Sequence, residues 1–295
     1  MPSVRAHIVS FLTRHITKKQ LSRCKTPEDV RRVFNAARTF PVKGVTYTPA
    51  TLGGVPGEWA QDPGASPRAN LLYLHGGGYV GMSPVTHRPI TGAFAKRGFR
   101  VFAPDYRLAP EHPFPAALDD ATAAWRALRS SVEGPCCVAG DSAGGGLSLA
   151  LLLNLKGLNE RNADAACLFS PWTDLAATGD SMRSNALRDP LLVSEGIETI
   201  AEAYAGTAGT RHPLVSPLYG DYAGLPPLIF YVGESEILRD DTLRASEKAR
   251  AAGVTTQAHV FDGVPHVWQF MSRILPEGRR SMDEAAAFLL AAKGA

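Results

Sequence analysis

The sequence predicts an α/β fold in which a mostly parallel sheet is covered by helices on both faces. Three observations carry this. Short apolar runs recur at residues 70–74, 99–103, 136–139, 165–169, 228–232 and 255–261. Most of them are continuously apolar rather than alternating, as expected of strands buried on both sides. Stretches with helical spacing lie between many of them, and strand–helix alternation is the mark of parallel sheets. With 295 residues, of which 45% are hydrophobic and 20% charged, the chain can build a sizeable core. It has no apolar run near the roughly 18 residues that would span a bilayer.

The elements follow in order. Val4, Ile8, Phe11, Leu12 and Ile16 recur at helical spacing, and so do Val30, Val33, Phe34 and Ala37. The second set follows a capping pattern: Thr26, then Pro27, then the acids Glu28 and Asp29. Residues 44–48 and the segment around Trp59 predict a starting hairpin. After strand 70–74 come a helix over 86–97 closed by Gly98, strand 99–103, a helix over 116–129, strand 136–139, a helix over 145–155 and strand 165–169. Strands 228–232 and 255–261 flank a helix ending at Gly253, and a last helix covers 282–292. Residues 171–227 break the rhythm. They are rich in Ser, Asp, Gly and Pro, with helical fragments around 194–204. Ligands bind at the C-terminal edge of such sheets, so this insertion reads as a cover for a pocket. The expected organisation is a catalytic domain over 46–295, with a helical cap made from residues 1–45 and about 175–220.

The net charge of +3 hides an asymmetry. Residues 1–43 hold ten Lys or Arg and two acids, leaving 21 basic and 26 acidic residues in the remainder. A basic arm on an acidic body can dock on that body, on an anionic membrane or on nucleic acid. The apolar faces of both arm segments favour docking on the body. The first segment is a poor signal peptide, since Arg5 and His7 interrupt it and no small-x-small cleavage site follows. Of the four cysteines, Cys24, Cys136, Cys137 and Cys167, none has Cys-x-x-Cys spacing. Reduced thiols in a cytoplasmic protein with no metal site are the expectation.

Gly140-Asp141-Ser142-Ala143-Gly144 lies between a strand-like run and a helix-like run. This strand–turn–helix with serine at its tip is the nucleophile elbow of α/β-hydrolases, and it points to acyl transfer. Such chemistry needs a base, an acid that orients it, and donors for the oxyanion. The order along such chains is serine, acid, histidine. His212, His259 and His266 follow Ser142. His212 sits in the irregular insertion. His259 lies inside a predicted strand. His266 follows that strand's end, where the base belongs. The acid should follow strand 228–232, where Glu234, Glu236, Asp240 and Asp241 compete. The two aspartates open a helix and are explained by its dipole, which leaves the two glutamates. His75-Gly76-Gly77-Gly78, just past a strand, is an obvious source of oxyanion N–H groups, with Ala143 N–H as a further donor.

His75-Gly76-Gly77-Gly78, the segment Asp105 to Ala116 (DYRLAPEHPFPA), Gly140 to Gly144 and Pro265-His266-Val267-Trp268 together resemble the hormone-sensitive-lipase-like family of carboxylesterases. The resemblance runs from about residue 70 to the C-terminus. It implies an α/β-hydrolase fold with an eight-stranded type of sheet and a helical cap. It also implies hydrolysis of short- to medium-chain acyl esters without a cofactor, with Ser142 as nucleophile, His266 as base and oxyanion groups from Gly76, Gly77 and Ala143. The family's acid loop, Asp-Pro-Leu before an acidic pair, registers on Leu238-Arg239-Asp240-Asp241 and puts Glu236 at the acid position, glutamate in place of aspartate. The Asp105–Pro115 loop and His75 read as bracing. The partner is a small ester, with no nucleic acid and no stable membrane insertion. A homodimer through a sheet edge is an expectation of the resemblance alone. Two other readings use the same residues: a lactone hydrolase, and a non-catalytic binding protein of this fold. The presence of all three triad residues argues against the second.

Overall fold

The computed structural model describes residues 2–36 and 39–292. The predicted hairpin is β1 (Thr46–Leu52) and β2 (Val55–Gln61). The other strands are β3 (Ala69–Leu74), β4 (Phe99–Pro104), β5 (Cys136–Asp141), β6 (Ala166–Phe169), β7 (Leu228–Gly233) and β8 (Thr256–Phe261). Among the described residues they form one eight-stranded sheet in the order β1-β2-β4-β3-β5-β6-β7-β8. β2 is antiparallel to β1 and to β4, and every later pairing is parallel.

The helices are α1 (Val4–Thr13), α2 (Lys19–Leu21), α3 (Pro27–Asn35), α4 (Arg88–Ala95) and α5 (Ala116–Ser131). They continue with α6 (Ala143–Gly157), α7 (Ser181–Ser184), α8 (Ile197–Ala205), α9 (Arg239–Ala251) and α10 (Pro276–Ala291). A π-helical turn over Arg14–Lys18 joins α1 to α2. The last helix starts earlier than the apolar spacing suggests, because Pro276 is tolerated in a first turn whose N–H groups have no helical partner.

The central strands separate two apolar layers. In β3, β5, β6 and β7 one alternate set (Leu72, Val138, Leu168, Phe230) joins Leu118, Leu151 and Ala245 from α5, α6 and α9. The other set (Tyr73, Cys137, Phe169, Tyr231) joins Phe94, Met282 and Leu289 from α4 and α10. The period of two in a strand makes this division. It also sends adjacent Cys136 and Cys137 into different layers, both buried and unpaired. The parallel strands carry their C-terminal ends to one edge, where β3 leads into His75, β5 into Ser142 and β7 into the Glu236 loop.

The N-terminal arm lies against this body, but α1 differs from expectation. Its residues Val4, Ile8, Phe11 and Leu12, and Ile16 in the turn after it, point outward. The inward side is made of small and hydroxyl residues together with Val9, which packs on the apolar layer of α4 and α10. Ala6 is fully buried, Ser3 donates from its N–H and Oγ to Glu277 at 2.6 and 3.0 Å, and Ser10 Oγ donates to the Gly263 carbonyl at 2.8 Å. Polar bonds and the single apolar contact of Val9, rather than the predicted apolar stripe, hold α1 to the body. The second arm helix does turn its apolar side inward. Val30 packs on the core, Val33 and Phe34 line a cavity, and Ala37 lies outside the described residues. Its cap follows the sequence pattern, with the Thr26 hydroxyl accepting from Asp29 N–H at 3.3 Å.

Candidate active site

Ser142 sits between β5 and α6 with φ 53° and ψ −123°, a backbone conformation that costs a non-glycine residue of order 1–3 kcal/mol. The surroundings hold it there. Ser142 N–H donates to the Phe169 carbonyl at 2.8 Å, and its carbonyl accepts from Trp172 N–H at 2.9 Å and Gly146 N–H at 3.1 Å. The flanking glycines are required by contact. A Cβ on Gly144 would lie 2.1 Å from the Leu74 carbonyl oxygen, and one on Gly140 would lie 2.3 Å from the Gly144 oxygen. The elbow can therefore press onto the end of β3 only with hydrogen at these positions.

His266, after β8, donates from Nδ1 to Glu236 Oε2 at 2.5 Å. Its Nε2 is buried without a hydrogen-bond partner, and it lines the same cavity as Ser142. Glu236 is fully buried, and its Oε1 accepts from Gly233 N–H at 2.6 Å and Ser170 Oγ at 2.8 Å. These bonds leave Oε2 for the imidazole. Glu234 points elsewhere, pairing with Arg239 at 3.2 Å near the surface. His259 lies in β8 stacked on Tyr231, and His212 packs against Phe114.

Burial by itself lowers the His266 pKa. The charge and hydrogen bond of Glu236, then the more distant Asp189 and Asp141, outweigh it, so His266 titrates above the ordinary histidine value. An imidazole accepts a proton only when neutral. With His266 as the proposed base, hydrolysis should fall on acidification through a pKa higher than the ordinary ~6.5. A kcat/KM profile across neutral pH measures this, and an acid limb at or below the ordinary value contradicts it. The linkage has the matching sign. The raised pKa stabilises the fold below the unfolded-state pKa, and that contribution is lost as pH rises through the folded value.

The His-Gly-Gly-Gly run departs from expectation at one residue. Gly76 N–H donates to Asp141 Oδ1 and His87 Nε2, both at 3.2 Å. It is taken by the side chain next to the serine and is not free for an oxyanion. Gly77 and Gly78, with φ of 118° and 64°, instead border the space around Ser142, Gly77 in the larger cavity and Gly78 in a smaller pocket. Ala143 is the first residue of α6, where N–H groups lack helical acceptors. Asp141 also accepts from Tyr73 Oη at 2.6 Å, so one carboxylate ties the elbow to the glycine loop. Burial opposes its charge, but His87 and Tyr73 hold its pKa low. His75 is buried and stacked on Tyr106, and burial, then His87, push it down to about 3. Tyr106 Oη donates to the His75 carbonyl at 2.6 Å, so the Asp105–Pro115 loop braces the glycine loop from below.

The loop that carries Glu236 is held by residues that the sequence does not mark. Asn185 Nδ2 donates to the Glu236 carbonyl at 2.9 Å, and Ile237 N–H donates to Asp189 Oδ2 at 2.8 Å. Lys18 from the arm donates to the Asp189 and Ala186 carbonyls at 2.8 and 2.7 Å. Burial and the neighbouring Glu236 raise the Asp189 pKa. No local motif marks these residues, because their partners lie far away in the chain.

Two spaces meet at Ser142. The larger, about 870 Å3, reaches from His266 and Gly77 to Thr13, Phe34 and Leu192. The smaller, about 130 Å3, is bounded by Trp172, Val193, Ile200 and Leu238 and does not touch His266. Both are walled by the N-terminal arm and the insertion. Among the described residues no group of three His, Cys, Asp or Glu is placed to hold a metal ion, and no helix is long and apolar enough to cross a membrane.

This fold and its relatives define a carboxylic ester hydrolase. A family model described as the alpha/beta hydrolase fold matches residues 71–270. The chain is 41% identical to an acetyl-hydrolase of Streptomyces hygroscopicus over 247 residues, 83% of this chain and 82% of that protein. It is 34% identical to an ethyl acetate hydrolase of Pseudomonas putida over 227 residues, 74% of this chain and 71% of that protein. A crystal structure of an esterase from the bacterial hormone-sensitive lipase family superposes with a TM-score of 0.91 at 38% identity, covering all of both chains. The chain belongs to the hormone-sensitive-lipase-like carboxylesterases of the α/β-hydrolase fold.

Proposed function

We propose that the protein is a serine carboxylesterase that hydrolyses esters of short acyl groups with larger alcohols through an acyl-enzyme. The carrying observation is the Glu236–His266 bond of 2.5 Å, with His266 Nε2 buried and unpartnered in the cavity shared with Ser142. In this reading Ser142 Oγ attacks the ester carbonyl carbon as His266 Nε2 takes its proton. Glu236 holds the imidazole tautomer and stabilises the imidazolium. The tetrahedral oxyanion lies against the N–H groups of Gly77, Gly78 and Ala143. His266 then gives its proton to the alcohol oxygen as the C–O bond breaks. Water, deprotonated by His266, adds to the acyl-enzyme and releases the acid and Ser142. The described part of the N-terminal arm and residues 175–220 form the cap.

The two spaces assign the halves of the ester. The leaving oxygen receives its proton from His266, so the alcohol occupies the larger cavity that His266 lines. The acyl chain is left with the pocket of about 130 Å3 that also meets Ser142, bounded by Trp172, Ile200 and Leu238. The acetyl-named relatives support a small acyl group. In a series of p-nitrophenyl esters from acetyl to decanoyl, kcat/KM should be highest for the short members and fall steeply with length. Leu238→Ala should move the optimum to longer chains. An optimum at decanoyl in the unaltered protein rejects the assignment of the pockets.

A further inference from the structure

The outward side of α1 and of the turn that follows carries five exposed apolar residues, with Arg5, His7 and His15 exposed beside them. Val4, Ile8, Phe11, Leu12 and Ile16 are 74%, 53%, 60%, 48% and 56% exposed. Scattered apolar side chains on a surface need no explanation, but a contiguous stripe marks something that covers it. The same segment borders the large cavity through Thr13 and Thr17, and Arg5 bonds to the carbonyl of Ile274 in its lining. Phe40 and Ile274 line that cavity and are themselves 70% and 53% exposed. Leu187, 86% exposed, is tied to the arm through its carbonyl, which accepts from Arg14 at 2.6 Å.

Cations accompany this face. Arg5 donates to the Ile274 carbonyl at 3.1 Å, Arg14 to the carbonyls of Leu187 and Arg188, Arg273 stands beside Ile274 in the cavity lining, and Lys19 is exposed on α2. The bonds of Arg5 and Arg14 are to neutral carbonyls, and among the described residues none of the four forms an ion pair with a carboxylate. The first acid in the chain is Glu28. The nearby Glu277 is half-buried under Ser3, and Glu195 lies on the Lys18 side.

We propose that this face docks on the surface of an anionic lipid bilayer, with α1 lying in the interface plane and the cavity mouth turned toward the lipid. A helix with an apolar side and flanking Lys and Arg is the form that binds such surfaces. Each cation adds attraction to anionic headgroups. Pairing with a second copy of the chain is disfavoured by the same charges. A twofold contact through α1 would bring the cations of both copies together without an acid from the first 27 residues of either. Docking would let apolar esters pass from the lipid into the cavity along Phe40 and Ile274.

The test is cosedimentation of the full chain with vesicles of phosphatidylcholine alone and with vesicles containing about one third phosphatidylserine. Binding is expected to the anionic vesicles only, weakening as salt is raised. The double variant Ile8→Ser/Phe11→Ser should lose on the order of tenfold or more of that binding. Arg5→Gln/Lys19→Gln should lose a smaller part. Both should keep the unaltered rate on a dissolved short p-nitrophenyl ester, which shows that they fold. No vesicle binding, equal binding to neutral vesicles, or binding unchanged by the serine pair overturns the proposal. So does sedimentation in solution as a dimer that the serine pair dissociates.

Discussion

Ser142→Ala is expected to lower kcat/KM for a short p-nitrophenyl ester by on the order of 10⁴- to 10⁶-fold, the range found when a serine-hydrolase nucleophile is removed. The variant should fold. Alanine is no larger than serine, and the elbow's bonds are made by the backbone of residue 142, from its N–H to Phe169 and from its carbonyl to Trp172 and Gly146. A fluorophosphonate probe should label the unaltered chain and not the variant. Adding His266→Ala to Ser142→Ala should cost little more, because nucleophile and base act as a unit. Full activity in Ser142→Ala, or a probe attached elsewhere, rejects the proposed mechanism outright.

Glu236→Gln is expected to reduce kcat by about 10⁴-fold, as an acid-to-amide change does when it misaligns the base's tautomer. The two carboxylate oxygens of Glu236 accept from three donors: Gly233 N–H, Ser170 Oγ and His266 Nδ1. An amide has one oxygen. If it stays with Gly233 and Ser170, the NH₂ faces His266 and imposes the other tautomer, leaving Nε2 protonated and unable to act as base. Because Glu236 charge also raises the His266 pKa, the acid limb of any residual activity should move to lower pH. Glu234→Gln breaks only the partly exposed pair with Arg239, an interaction of about 0–1 kcal/mol, and should leave the rate nearly unchanged. The reverse ranking of the two glutamates removes Glu236 from the proposed triad.

Much of this site is legible in the chain because its geometry is local. The elbow needs hydrogen at residues 140 and 144 for contact with β3 and its own turn, so the glycines stand at fixed spacing around Ser142. The glycine loop at 75–78 and His266 are readable for a similar reason, since each directly follows a strand whose composition announces it. The proposed acid is less legible. Four carboxylates crowd one loop, and Glu236 is separated from Glu234 in part by a family register. In the folded chain the separation comes from burial and from Gly233, Ser170 and His266 converging on one carboxylate.

The arm shows the limit differently. Periodicity identified α1 and its apolar side, but not what that side faces. The inward face was settled by Ser3, Ala6 and Ser10 fitting against Glu277 and Gly263. Likewise, three glycines in a row announced free amides without saying which, and Asp141 removes Gly76 from the set. By itself the sequence determined the α/β layering, the elbow and the chemical class, because spacing along a chain encodes backbone conformation and strand ends. Only the tertiary structure decided which glutamate meets the histidine, which amides stay free, how the space around Ser142 is divided and which side of α1 is left outside. Those depend on close packing between segments distant in sequence, where a difference of one hydrogen bond or one side-chain volume selects among residues of the same type.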